Sequence, residues 1–178
     1  MKKSIIIIAA IVMVQGLISK SMAQSTITST TAGAVIITPI SLTQESPLNF
    51  GVMAVLATTP GACILSTIGI RTASGGVNLS AAGVSATNAA FSVVGLESAT
   101  YSISLPSTIT VTETLSGTET MTIDALSVRA ASNAADGFTG TLNGAGVDNF
   151  TIGGTLNVQA AQVSGIYSGS FNVTVAYN

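Results

Sequence analysis

Charged and aromatic side chains are scarce in this chain of 178 residues, and histidine and tryptophan are absent. Without histidine, a common general base near neutral pH and the commonest metal ligand are missing, and a Ser-His-Asp triad cannot be assembled. The single cysteine, Cys63, cannot form a disulfide within the chain. It lies in an apolar stretch and is expected to be a small buried hydrophobic residue. We predict a protein that is not an enzyme and that holds no metal or cofactor.

Positive charge is also scarce, because all three lysines lie within the first twenty residues. Beyond them, Arg71 and Arg129 stand against seven acidic residues. No basic patch can form, which excludes nucleic acid as a partner and removes attraction to anionic lipid surfaces. Each arginine lies alone in a strand-like stretch. There it either lies exposed over the sheet or pairs with an acid across a subunit contact.

The N-terminus has the three parts of a secretory signal peptide. Lys2 and Lys3 precede an apolar run over residues 5–14, and small residues, Ser21 and Ala23, stand at the cleavage positions. The run is interrupted before it reaches the roughly 20 apolar residues of a spanning helix. We therefore predict a signal peptide over residues 1–23 and an exported chain from Gln24, with no integral membrane segment after cleavage.

The remaining chain alternates apolar and polar residues over short β-branched segments that are separated by Gly, Pro, Asn and Ser. This pattern predicts strands, and no window shows a helical period. Many short strands at regular spacing are typical of a β-sandwich. We predict one all-β domain over residues 35–178, preceded by a segment over residues 24–34. The predicted strands include residues 35–42, 62–73, 91–94, 101–105, 109–112 and 167–178.

Two predicted strands have further features. Pro39 cannot donate a ladder hydrogen bond, so the strand over residues 35–42 is expected to lie at a sheet edge or to carry a kink. The strand over residues 167–178 has the clearest alternation in the chain, and it is expected to be half-buried. Its apolar face consists of Phe171, Val173, Val175 and Tyr177.

The acidic side chains could form two kinds of site, a catalytic carboxylate pair or a calcium site. Glu113 with Glu119 or Asp124 could form a carboxylate pair for glycoside cleavage, although we favour the interpretation that Glu113 and Glu119 flank a hairpin turn and keep it solvated. Loop oxygens could also bind calcium, but their spacing matches no known calcium loop, and structural loop roles are preferred. These loop residues are Asn133, Asp136, Asp148 and Asn149.

Six sequence blocks occur in the order typical of one bacterial family. They lie at residues 37–40, 48–51, 71–77, 91–95, 101–106 and 153–158. On these blocks the chain resembles the secreted family known as domain of unknown function 4402. The block at residues 48–51 and the ending at residues 165–177 also resemble spore-coat-U-like proteins and archaic chaperone–usher pilins, which often have Tyr at the position of Tyr177.

The resemblance implies an immunoglobulin-like antiparallel sandwich that lacks one strand, which the N-terminal segment of a neighbouring subunit supplies. It implies a structural subunit of a surface fibre, pilus or coat in a Gram-negative bacterium, passing through the periplasm to the cell surface. Its partners would be copies of itself or related subunits, a periplasmic chaperone and an outer-membrane usher. The donor would be residues 24–37, through Ile27, Val35 and Ile37, and the acceptor would be Phe171, Val173, Val175 and Tyr177.

Two alternatives belong to other functional classes. A self-contained secreted adhesin or carbohydrate-binding module would need exposed aromatic side chains, of which the chain has few. A secreted hydrolase would need the catalytic groups that the composition lacks.

Overall fold

The computed structural model describes residues 26–115 and 117–178. The predicted signal peptide, residues 1–23, lies outside the described residues. Thirteen strands and no helix occur in the described part of the chain. The first seven strands are β1 (Ser41–Ser46), β2 (Met53–Val55), β3 (Gly61–Leu65), β4 (Arg71–Gly75), β5 (Val77–Leu79), β6 (Ala89–Val94) and β7 (Thr100–Ser104). The others are β8 (Ile109–Glu113), β9 (Thr120–Ala130), β10 (Thr139–Thr141), β11 (Val147–Val158), β12 (Tyr167–Ser168) and β13 (Thr174–Tyr177).

The strands form three antiparallel sheets. The largest has eight strands and runs β1-β6-β11-β9-β8-β12, with β3 and β4 attached beside the second half of β11. A three-stranded sheet runs β10-β7-β13, and β2 pairs with β5. Strand β11 holds the large sheet together, because its first half pairs with β6, its second half with β3, and its other side with β9. The predicted all-β sandwich is confirmed.

Alternation along each strand explains the core, since every second side chain faces inward. The first core cluster joins the large sheet to the three-stranded sheet, and within it the rings of Phe91 and Phe150 stack with centroids 5.1 Å apart. A second cluster lies under β3, β8, β9 and β11. It includes Cys63, Leu65, Ile109, Ile123 and Leu156. Cys63 is fully buried, as predicted.

The first strand begins later than the alternation predicts. Strand β1 starts at Ser41, and Ile36 ahead of it is exposed. Pro39 lacks an amide proton, so the ladder forms only beyond it. Strand β1 pairs with β6 alone, which confirms the predicted edge position.

The single strand predicted over residues 62–73 is wrong, because the segment is the hairpin of β3 and β4. The turn between them is closed by the amide of Ser66 donating to the carbonyl of Ile70, at 2.9 Å. Gly69, with φ of 82°, provides the left-handed conformation that the turn requires. Ile68 and Ile70 continue the apolar pattern through the turn, so the pattern of the sequence does not reveal the turn.

The final predicted strand divides between two sheets. Strand β12 pairs with β8 in the large sheet, whereas β13 pairs with β7 in the three-stranded sheet. The crossing passes Gly169, where an added Cβ would lie 2.4 Å from the carbonyl oxygen of Thr110. A side chain at this position would force the crossing away from β8.

We expect the thiol of Cys63 to react with a chromogenic disulfide reagent only when the sandwich unfolds. Desolvation raises the pKa of this thiol, and the nearby positive charge of Arg71 opposes the effect only in part. Little thiolate forms near neutral pH, and reagent cannot reach it. The measurement compares thiolate release in native buffer and in concentrated guanidinium chloride. Prompt reaction in native buffer would contradict the packing described here.

Candidate functional site

The edge of the three-stranded sheet is formed by β13, which pairs with β7 alone among the described strands. Thr174 lies opposite Ser104, and the amide of Asn178 donates to the carbonyl of Thr100 at 3.2 Å. In an antiparallel ladder, alternate residues turn their backbone groups toward the partner strand. The amides and carbonyls of Val175 and Tyr177 therefore point away from β7, toward the free edge.

The side chains of the C-terminal segment alternate as predicted. Phe171, Val173, Val175 and Tyr177 are half-buried against the first core cluster, and the residues between them are exposed. In the large sheet, Leu42 of edge strand β1 is half-buried against the same cluster. Both edge strands thus present apolar side chains that the core covers only in part, which is a template for pairing with another strand.

The predicted donor residues are exposed aliphatic side chains. Ile27 is 94% exposed, Val35 is 91% exposed and Ile37 is 49% exposed. No strand forms over residues 26–40. The structure brings the four acceptor residues together on one core. The contact between donor and acceptor residues stays a prediction.

Tyr177 also makes polar contacts that the sequence analysis did not anticipate. Its hydroxyl accepts a hydrogen bond from the amide of Leu96 at 2.6 Å and donates one to the carbonyl of Thr38 at 2.8 Å. A Cβ on Gly95 would lie 2.2 Å from the same hydroxyl oxygen. The glycine therefore leaves the space that the tyrosine hydroxyl occupies.

A buried carboxylate lies beneath β7. Asp148 accepts hydrogen bonds from the hydroxyl of Tyr101 at 3.0 Å and from that of Ser132 at 2.6 Å, both on Oδ2. The amide of Asn149 donates to its Oδ1 at 2.9 Å. Burial first, and then the charge and hydrogen bond of Asp148, raise the pKa of Tyr101 above its ordinary value of 10.0. The cluster holds β7 to β11 and is structural.

Asp136 is another candidate ligand for calcium. Asp136 accepts from the hydroxyl of Thr67 at 2.8 Å, away from the Asp148 cluster. Over residues 26–115 and 117–178, no three histidine, cysteine, aspartate or glutamate side chains lie close enough together to hold a metal ion. The predicted loop position is wrong for Asp148 and Asn149, which lie on β11. The hydrogen bonds of Asp136 and Asp148 support structural roles for these two carboxylates.

The predicted solvation of a hairpin turn by Glu113 is wrong. Glu113 is only 4% exposed, and its Oε2 accepts the amide of Leu115 at 3.0 Å. Glu119 lies across the hairpin from Glu113, and its carbonyl accepts a hydrogen bond from the amide of Glu113 at 2.8 Å. Asp124 lies beyond the opposite end of the β8–β9 ladder, which runs from Ile109 to Thr112 on β8. A carboxylate pair of Glu113 with Asp124 is therefore excluded by the register.

The two arginines differ in what they contact. Arg71 is half-buried and donates to the carbonyls of Phe50 at 2.8 Å, Val52 at 3.3 Å and Ser80 at 2.7 Å. It fastens loops of its own chain rather than lying free over the sheet. Arg129 donates to the carbonyl of Ala134.

A shallow depression of about 360 Å³ lies on the outer face of β1, β6, β11 and β9. Ile68 and Asn133 come from two loops at its border, and the hydrogen bond from Thr67 to Asp136 joins those loops. Its polar lining consists of Glu45, Thr67, Arg129, Asn133, Asn149 and Thr151. Most of its lining surface is nevertheless apolar, and it includes parts of Phe91 and Phe150, whose side chains are largely buried.

Most of the chain matches a known protein family. A family model described as "Domain of unknown function (DUF4402)" matches residues 40–177. No curated protein matches the chain. Within the described part of the chain there is also no helix with the length and apolar character needed to cross a membrane.

We expect Tyr101→Phe to lower stability by about 1–2 kcal/mol near neutral pH, because buried Asp148 loses a donor. The folded-state pKa of Tyr101 is raised above 10.0, so the neutral phenol stabilises the fold below that pH. This contribution is lost as pH rises above 10. The wild type should therefore lose stability above pH 10 more steeply than the variant.

The measurement is the urea midpoint on both sides of pH 10, with Tyr167→Phe as the control. The hydroxyl of Tyr167 donates to the carbonyl of Val163 at the surface. The thiol of Cys63 titrates in the same direction, but it is present in every variant, so the differences between variants report the phenols. Equal alkaline slopes for Tyr101→Phe and the wild type would contradict the assignment.

Proposed function

The chain belongs to the family named domain of unknown function 4402, and since that name assigns no activity, we propose a function from the geometry. The protein is a non-enzymatic structural subunit of a bacterial surface fibre, pilus or coat, and it assembles by β-strand addition. The observation that supports this most directly is edge strand β13, with outward backbone groups and half-buried apolar side chains.

The acceptor is the edge of β13. Its outward amides and carbonyls, at Val175 and Tyr177, can pair with a strand from another chain, as in other strand-addition complexes. The core-facing side of that strand would cover the half-buried Phe171 and Val173. Natural sheet edges are often protected by lysine, and this chain has no lysine after residue 20.

The donor is the segment over residues 24–37. Ile27, Val35 and Ile37 all occupy odd positions, so they share one face when the segment is extended. Fully burying an exposed valine or isoleucine side chain contributes about 1.5–3 kcal/mol. The residues between Ile27 and Val35 on this face are small or polar, so Val35 and Ile37 supply most of the apolar area.

The partners follow from this mechanism. They are copies of this chain or related subunits, which present the same edge and the same segment. Through the resemblance to chaperone–usher pilins, a periplasmic chaperone would cover the edge of β13 before assembly and an outer-membrane usher would exchange it. Export through the periplasm to the surface of a Gram-negative bacterium is part of the same proposal.

We expect the chain from Gln24, purified without a chaperone, to form filaments or denaturant-resistant oligomers. The double variant Ile27→Asp/Val35→Asp should remain monomeric, because charged side chains cannot be buried beside β13. Both residues are over 90% exposed, so folding should be unaffected. Size exclusion and electron microscopy give the assembly state, and circular dichroism checks the fold.

The matched control is Ile68→Asp, which places the same charge at an aliphatic residue that is 62% exposed and lies outside the donor segment. It should assemble like the wild type. A wild-type chain that stays monomeric at every concentration would refute the proposal, as would filaments of the double variant.

The depression on the outer face supports a second candidate, binding of a polyhydroxyl ligand such as a sugar. Glu45, Asn133 and Asn149 place hydrogen-bonding groups around a volume of about 360 Å³. Calorimetric titration with a panel of oligosaccharides should then give binding that Asn149→Ala weakens. Binding that is unchanged in this variant would rule out the depression as the site.

A further inference from the structure

The hydroxyl of Tyr177 joins three segments that are far apart in the sequence. It accepts from the amide of Leu96, which follows β6, and donates to the carbonyl of Thr38, which precedes β1. Tyr177 itself is the last residue of β13. One oxygen atom therefore links the edge strand of the small sheet to the segment that leads into the edge strand of the large sheet.

These contacts lie at one end of the sandwich. Ser41, the first residue of β1, pairs with Val94, the last residue of β6. Thr38 and Leu96 are therefore on the same end of that ladder, and Tyr177 reaches both. The hydrogen bond from Tyr177 to Thr38 thus connects β13 to the segment that precedes β1 at this end.

We propose that Tyr177 is a latch between edge strands β13 and β1. Release of its hydroxyl from Thr38 would control the access of another chain's strand to β13. This inference rests on the proposed function, and it concerns the regulation of the same edge. An added strand must pair with the outward backbone groups of Val175 and Tyr177. While the hydroxyl of Tyr177 is bonded to the carbonyl of Thr38, the segment that precedes β1 is held at the Tyr177 end of β13. Release of the hydroxyl lets this segment move away from that end of β13, where an added strand would pair.

The hydroxyl of Tyr177 fits closely into its surroundings. The hydroxyl accepts one hydrogen bond of 2.6 Å and donates one of 2.8 Å. Gly95 provides the space, since a Cβ there would stand 2.2 Å from the hydroxyl oxygen. The contact can therefore be broken from either side, by removing the hydroxyl or by filling the space at Gly95.

The latch is tested with Tyr177→Phe, which deletes one oxygen and keeps the ring that packs on the core. The second latch variant is Gly95→Ala, which leaves Tyr177 in place but displaces its hydroxyl. The control is Tyr167→Phe, because the hydroxyl of Tyr167 contacts Val163 and Gln162 in the part of the chain that leads into β12. All variants are made in the chain from Gln24.

Two quantities are measured in each variant. The first is hydrogen exchange of the Leu96 amide, which should become roughly two- to tenfold faster when its acceptor is removed. The second is the rate at which a fluorescent synthetic peptide of residues 24–37 is taken up, which should rise in both latch variants. Tyr167→Phe should change neither.

The outcomes separate the latch from the proposed function. Unchanged Leu96 exchange in both latch variants overturns the latch. Faster exchange together with peptide uptake no faster than in the wild type overturns the control of access, while strand addition itself stands. Failure of every variant and of the wild type to take up the peptide overturns strand addition, and with it the role of the latch, even if Leu96 exchange responds.

Discussion

A strand at the end of a sheet leaves a row of amides and carbonyls without a neighbouring strand, and β13 combines such a row with side chains that its own core half covers. Hydrogen-bond pairing is the constraint on which the structure depends, because buried backbone groups need partners. The interior strands meet it through antiparallel ladders, above all along β11. At β13 the ladder ends while the apolar face continues, so this edge has both features that favour another strand.

The scarcity of charge strengthens the tendency of the β13 edge to pair with another strand. Where many proteins place lysine along an edge, this chain has Ser, Thr, Ala and Asn, and several of its few charged groups are used internally. Arg71 fastens loops through three backbone carbonyls. Asp148 and Glu113 are buried and accept hydrogen bonds within the fold. Few charged side chains remain at the surface to keep copies apart, which is consistent with the proposed self-assembly.

Period-two alternation predicted the all-β class and the half-buried C-terminal face, because inward and outward side chains differ most along strands such as β13. It failed where the pattern passed through a turn. Ile68 and Ile70 extended the apparent strand across the β3–β4 hairpin, and Gly69 was the one local signal of the turn. The burial of Glu113 and the contact of Tyr177 with Thr38 could not be predicted, since they depend on segments that meet only after folding.

Tyr101 and Tyr177 lie directly opposite each other on β7 and β13, yet their hydroxyls have different consequences. The hydroxyl of Tyr101 joins the three-stranded sheet to β11 of the large sheet, and that of Tyr177 joins it to segments next to β1 and β6. That of Tyr101 is enclosed with the carboxylate of Asp148, so breaking its bond leaves a buried charge with one donor fewer. That of Tyr177 binds backbone groups at an exposed edge, where water can replace the lost partner. The first contact therefore fixes the two sheets to each other, whereas the second is the contact that we propose to open when a strand is added at this edge.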